Sequence, residues 1–252
     1  MAFATIQYFS RSLRKASSMN VVFPDDPETP RPYRAFYLLH GLSDDHSIWM
    51  RRTSIERYVS GLPLVVVMPD GGRGFYTNAA EGFAYEDDLI HDVVGLIDRT
   101  FPVKAEKSGR AIGGLSMGGY GAIKVALKHP NLFASANSHS GAVGFLRPRP
   151  GGGGLEPEFA RIFGKSPAGG PEDPFAIVEK TDHGIIPALR LDCGRDDFLL
   201  AQNRAFHEHL NKLGIIHEYA EFPGGHEWGY WDEHVREAIA FHAKYLDIPI
   251  KK

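Results

Sequence analysis

The amino-acid sequence predicts an α/β protein whose core is a mostly parallel, doubly wound sheet. Short apolar runs recur along the chain, and amphipathic helical stretches lie between them. The runs are Ala35–Leu39, Leu64–Met68, Ala111–Leu115, Phe133–Ser138, Ala188–Cys193 and His217–Phe222. Continuous apolar runs, rather than alternating ones, mark parallel strands covered on both faces. A third observation concerns one edge: residues 4–10 and 18–23 read as extended segments joined by a polar turn, an N-terminal antiparallel hairpin.

A proline-rich loop follows the hairpin, with Pro24, Pro27, Pro30 and Pro32. The stretch Tyr85–Phe101 spaces Leu89, Val93, Leu96 and Ile97 as a helix, with Glu86, Asp87 and Asp88 in its first turn. Acidic side chains there complement the positive end of the helix dipole. A second helix is expected over Tyr120–Lys128. A third, Leu199–Leu213, carries Leu199, Asn203, Phe206, Leu210 and Leu213 on one face and stops at Gly214. Trp231, Val235, Ile239 and His242 define the last helix.

The segment 144–174 breaks this rhythm. It holds Arg147 to Pro150, the glycines Gly151–Gly154, and then Pro157, Pro167, Pro171 and Pro174. It is expected to be a loop or cap insertion with a short helix near Glu158–Phe163, in a chain that forms one domain over residues 1–252.

Composition excludes several classes. The 252 residues are 43% hydrophobic and 23% charged, enough for one large core. The formal net charge is −3, so nucleic-acid binding has no electrostatic footing. The longest apolar run, Leu62–Met68, is too short to cross a bilayer. One cysteine, Cys193, rules out an intrachain disulfide and reads as a small buried apolar side chain. Arg11, Arg14 and Lys15 follow a short mixed segment without the apolar stretch of a secretory signal, so a cytoplasmic location is expected. No cofactor is expected, and no metal. Asp44, Asp45 and His46 have no completing partner, and His207-Glu208-His209 lacks the i, i+4 spacing of a zinc protease.

The chemistry concentrates at Gly114-Leu115-Ser116-Met117-Gly118. This G-x-S-x-G pentapeptide follows a buried strand and precedes a helix, the setting of a nucleophile elbow in the α/β-hydrolase fold. Small residues two before and two after the serine relieve a sharp, strained turn. A serine hydroxyl needs a base, and in this fold the chain order is serine, acid, histidine. Of 12 histidines, His226 stands out, because it follows a strand and the turn Pro223-Gly224-Gly225. His139, just past its strand, is its competitor, whereas His207, His209, His217, His234 and His242 read as surface groups. The acid is expected at the end of the preceding strand, where Asp197 is favoured over Asp196. It orients the imidazole and stabilises its charged form. The backbone N–H of Met117 supplies one oxyanion donor. Leu38-Leu39-His40-Gly41-Leu42 supplies the other through Leu42 N–H. Trp49 and Trp228 are candidate walls of a substrate pocket, and Trp231 is expected in the core.

These residues resemble the esterase D family of α/β-hydrolases. The matching stretches are Leu39–Leu42 with Trp49, Val65–Gly71, Tyr76-Thr77-Asn78, Gly114–Gly121, Cys193-Gly194 with Asp197, and Gly225–Trp228. The resemblance implies Ser116, Asp197 and His226 as a triad, with Leu42 and Met117 as oxyanion donors. It is most similar to the tributyrin and acetyl esterase branch, which implies hydrolysis of short-chain carboxylic esters through an acyl-enzyme. S-formylglutathione hydrolase-type thioesterases and carbohydrate acetyl or feruloyl esterases remain alternatives, and a non-catalytic binding module is disfavoured because all three triad members are present. The implied partner is a small-molecule ester, with no nucleic acid and no membrane, and assembly into a homo-oligomer is left open.

Overall fold

The computed structural model of the protein describes residues 1–147 and 156–249. Eight strands form one sheet: β1 (Ala2–Ser10), β2 (Lys15–Phe23), β3 (Arg34–Leu39), β4 (Leu64–Pro69), β5 (Arg110–Leu115), β6 (Ser135–His139), β7 (Ala188–Gly194) and β8 (His217–Phe222). Their spatial order is β1-β2-β4-β3-β5-β6-β7-β8. The first three in that order pair antiparallel and the rest parallel. The predicted hairpin and doubly wound sheet are therefore both present.

Helices cover both faces, as parallel strands require. The chain adds α1 (Ile48–Arg52), α2 (Ile55–Tyr58), α3 (Tyr85–Asp87), α4 (Val94–Thr100), α5 (Met117–Lys128), α6 (Pro157–Phe163), α7 (Pro174–Lys180), α8 (Leu200–Lys212) and α9 (Trp228–Tyr245). One apolar cluster joins alternate strand residues such as Tyr37, Val67 and Ile112 to α4, α5, α7 and α8. The other joins Phe36, Val66 and Ala111 to α1, α2 and α9. Every residue of β3 from Ala35 onward and of β4 is buried, so each aliphatic side chain there contributes about 1.5–3 kcal/mol.

Two local departures from expectation have physical causes. The helix expected over Tyr85–Phe101 is present, but its centre, Asp88–Val93, takes wider π-helical turns between α3 and α4. β6 spans Ser135–His139 instead of the apolar run at Phe133. Two of its polar side chains are held from α9: Ser135 Oγ lies 2.8 Å from His242 Nδ1, and Asn137 Oδ1 lies 2.8 Å from His242 Nε2. His242 and His234 are thus buried, not surface groups. His242 continues the apolar face marked by Trp231, Val235 and Ile239. Burial holds its imidazole neutral, with a pKa pushed down to about 3. Cys193 is buried as expected, and burial pushes its thiol up to about 12.

Candidate active site

The elbow is built at the end of β5. Ser116 adopts φ 51°, ψ −115°, a conformation that costs a non-glycine residue about 1–3 kcal/mol. Its N–H donates to His139 O at 2.9 Å and its carbonyl accepts from Ala142 N at 3.1 Å. The flanking glycines are required by close approach. A Cβ on Gly114 would stand 2.6 Å from Leu39 O, and one on Gly118 would stand 2.5 Å from the same carbonyl. The turn is therefore wedged against the end of β3.

His226 sits in the loop between β8 and α9. Its Nε2 lies 3.0 Å from Ser116 Oγ, and its Nδ1 lies 2.8 Å from Asp197 Oδ2. The other oxygen of Asp197 accepts from Leu199 N at 2.8 Å. Asp196 N–H donates to Gly224 O at 3.0 Å and Arg195 N–H to Phe222 O at 2.8 Å, so the acid and base loops are stitched together by backbone. Asp197 is 5% exposed and faces the imidazole, while Asp196 is exposed to solvent. Burial alone would raise the Asp197 pKa. Hydrogen bonds from His226 and the Leu199 amide outweigh it and hold the carboxyl below its usual value, hence ionised. His139, the competitor, is fully buried with Nδ1 2.8 Å from Asp192 Oδ1, and its carbonyl accepts from Ser116 N–H.

Leu42 and Met117 flank the elbow. Met117 opens α5, where first-turn amides have no intrahelical acceptor. Leu42 follows Gly41, whose Cβ position lies within 4 Å of Ser116 Cβ. Three side chains fix this loop. Gly71 N–H donates to His40 Nε2 at 2.9 Å, so the proton sits on Nδ1, which donates to Gly41 O at 2.7 Å. His40 N–H donates to Tyr76 Oη at 3.0 Å, and Trp49 Nε1–H donates to Leu39 O at 3.1 Å. Trp49, expected in a pocket wall, is only 1% exposed, with its indole N–H committed to the backbone at the end of β3. Trp228 is half-buried and meets Trp49 and Trp231 edge-on at 5.3 Å and 5.2 Å. Trp231 is buried, as expected, and its ring lies 4.9 Å from that of His226.

The insertion is anchored more firmly than its composition suggests. Phe145, Phe159 and Phe163 pack on Phe75 at centroid distances of 5.1 Å, 5.6 Å and 5.3 Å, and Phe75 packs on Tyr120 of α5 at 5.8 Å. Backbone bonds from Ala80 N–H to Ile162 O and Glu81 N–H to Arg161 O add to this, at 2.9 Å and 2.8 Å. Glu172 closes the far end. Its carboxylate lies 2.9 Å from the fully buried Lys124 ammonium, which also meets Glu86 at 2.7 Å. The glycines Gly151–Gly154 lie outside the described residues. Sequence reasoning missed this aromatic cluster and also Phe198, whose ring lies 4.6 Å from that of His226. The one signal for Phe198 was its place next to the acid.

Among the described residues, no cluster of three or more His, Cys, Asp or Glu is placed to hold a metal, and no helix is long and apolar enough to cross a membrane. A cleft of about 1030 Å³ between the proline-rich loop and the end of α9 shares no residue with the Ser116 constellation.

A sheet of this topology with a serine elbow, a loop histidine and a strand-end aspartate defines a serine hydrolase of the α/β-hydrolase type. Residues 10–242 match the Esterase family, described as "Putative esterase", and the chain belongs to that family. It is 28% identical to an acetyl esterase of Caldicellulosiruptor saccharolyticus, with 98% of this chain and 100% of that one covered. Among solved structures it resembles the fluorophosphonate-binding serine hydrolase FphF of Staphylococcus aureus. That match has TM-score 0.86 and 31% identity, and covers 96% of this chain and 98% of that one. It also resembles the S-formylglutathione hydrolase FrmB of the same organism, with TM-score 0.83, 31% identity and the same coverage. The protein is an enzyme that hydrolyses esters.

Proposed function

We propose that the protein hydrolyses short-chain carboxylic esters through an acyl-enzyme on Ser116. The observation that carries this reading is the unbroken series Ser116 Oγ, His226 Nε2, His226 Nδ1, Asp197 Oδ2, with gaps of 3.0 Å and 2.8 Å. His226 removes the hydroxyl proton as Ser116 attacks the ester carbonyl. Asp197, ionised, keeps the other imidazole proton in place and stabilises the imidazolium. The N–H groups of Leu42 and Met117 receive the oxyanion, on a loop held by His40 and Trp49. His226 then passes its proton to the departing alcohol, and water activated by the same nitrogen releases the acid. General-base catalysis contributes about 10²–10⁴-fold and an oxyanion donor about 10²–10³-fold.

The acetyl esterase relative supports a small acyl group, and the likeness to an S-formylglutathione hydrolase supports a second reading, a thioester leaving group on the same machinery. A rate series over p-nitrophenyl acetate, butyrate and octanoate, with S-formylglutathione beside it, separates them. The expected result is a fall in kcat/KM with acyl length and a preference for the oxygen esters. Activity confined to S-formylglutathione would overturn the carboxylesterase reading. A fluorophosphonate probe should label the wild-type protein and not Ser116→Ala; equal labelling of both would remove Ser116 as nucleophile.

A further inference from the structure

Phe198 is a large apolar side chain that is 75% exposed, directly after the buried acid Asp197. Its ring is inclined 51° to the His226 imidazole at a centroid distance of 4.6 Å. Trp231, the other ring beside His226, is 5% exposed and stands at 90° to it. One neighbour of the base is thus scaffolding, and the other presents its ring to solvent. No second aromatic ring among the described residues packs on Phe198. An exposed aromatic ring leaves apolar area in water that a bound ligand can cover.

The chemistry says which part of a substrate passes this ring. His226 Nε2 must deliver its proton to the leaving oxygen, so that oxygen lies within hydrogen-bond reach of the imidazole. The carbons attached to it would extend from the imidazole toward solvent, where the Phe198 ring is exposed beside His226. The acyl carbonyl lies on the other side, toward Leu42 and Met117. We propose that Phe198 is a specificity-determining residue that forms the alcohol subsite, selecting leaving groups with a flat apolar face, such as a benzyl ring or the C–H face of a pyranose. The inference rests on the serine-esterase reading above.

The same subsite acts in reverse during transfer. An alcohol bound against Phe198 gives its proton to His226 as its oxygen bonds to the acyl carbon, and the bond from that carbon to Ser116 Oγ then breaks as His226 returns the proton to Oγ. No co-reactant beyond the alcohol is needed.

The test compares wild type with Phe198→Ala and Phe198→Leu on ethyl acetate, benzyl acetate and methyl 6-O-acetylglucoside. In Phe198→Ala, kcat/KM for benzyl acetate or for the glucoside should fall about tenfold more than for ethyl acetate, the scale of one aromatic contact. Which of the two falls tells an aryl face from a sugar face. Hydrolysis of the acetyl-enzyme, from which the alcohol has gone, should slow by a smaller factor than acylation. Partition of the acetyl-enzyme between added benzyl alcohol and water should move toward water, and Phe198→Leu should fall between the other two proteins. Equal losses on all three esters, or deacylation slowed as much as acylation, would overturn the proposal and leave Phe198 as a support for His226. Fluorophosphonate labelling separates the two levels: an unlabelled wild type defeats the esterase reading, while a labelled protein with unchanged ester ratios defeats only the subsite.

Discussion

His226–Asp197 and His139–Asp192 are matched in geometry, each with Nδ1 2.8 Å from a carboxylate oxygen at the carboxyl end of the sheet. They differ in what surrounds them. His226 is 19% exposed and its second nitrogen reaches Ser116 Oγ at 3.0 Å. His139 and Asp192 are both fully buried. His139 Nε2 has no hydrogen-bond partner among the described residues, and Asp192 is shared with the Tyr230 hydroxyl at 3.0 Å. A histidine–aspartate contact is therefore not itself a catalytic device. It becomes one when the free nitrogen faces a nucleophile that substrate can reach. The buried pair instead joins β6, β7 and α9 beneath the site, since Ser140 N–H donates to Asp192 O at 2.8 Å and Ser116 N–H to His139 O at 2.9 Å.

Substitutions sharpen the contrast. The largest effect is expected from Asp197→Asn, which should lower kcat about 10³–10⁴-fold, as loss of an orienting carboxylate does, while the urea midpoint moves little. Asp192→Asn should do the reverse: unfolding free energy falls by about 1.5–3 kcal/mol as buried hydrogen bonds to a carboxylate are weakened, and kcat per fluorophosphonate-titrated site stays near that of wild type. A kcat loss equal to that of Asp197→Asn would erase the distinction between the pairs.

Acidification probes the buried side through His242. Its folded pKa, about 3, lies below the ordinary 6.5, so the unfolded chain takes up the proton first. The stability this neutral imidazole contributes is present above pH 6.5 and is lost as pH falls toward 3. The loss is about 1.4 kcal/mol per pH unit, or about 3 kcal/mol by pH 4. Urea titrations at pH 7, 5.5 and 4 should show this slope, and His242→Phe should flatten it; an unchanged slope in the variant would remove His242 as its source. The smallest effect belongs to Asp196→Asn, at an exposed position, where kcat/KM should change by about twofold or less. A collapse of activity there would mean that the wrong member of the Asp196-Asp197 pair has been assigned.

Much of this was legible in the residues. The strands β3, β4 and β5 were readable because strands covered on both faces are largely apolar, and Ser116 and His226 because each sits where a strand gives way to a turn. Asp197 was separable from Asp196 only in outline, since adjacent side chains point apart in a way that spacing does not decide. The polar strand β6 was misjudged at its ends, because its stability comes from His242 more than a hundred residues away. That histidine carried a readable signal: it continues the apolar stripe of Trp231, Val235 and Ile239, yet its polarity suggested solvent. Trp49 looked like a pocket residue by composition, and only packing showed its indole N–H committed to Leu39 O at 3.1 Å.

The insertion has a consequence for anyone who would re-engineer this enzyme. Phe145, Phe159 and Phe163 share one aromatic cluster with Phe75 and with Tyr120 on the helix that begins directly after Ser116, and Glu172 is locked to Lys124 on that same helix. Swapping residues 156–174 for the corresponding segment of a relative would exchange a sector of the interior. A successful chimera would have to carry compatible residues at Phe75, Tyr120 and Lys124, so any exchange of this segment is also a redesign of the packing around α5.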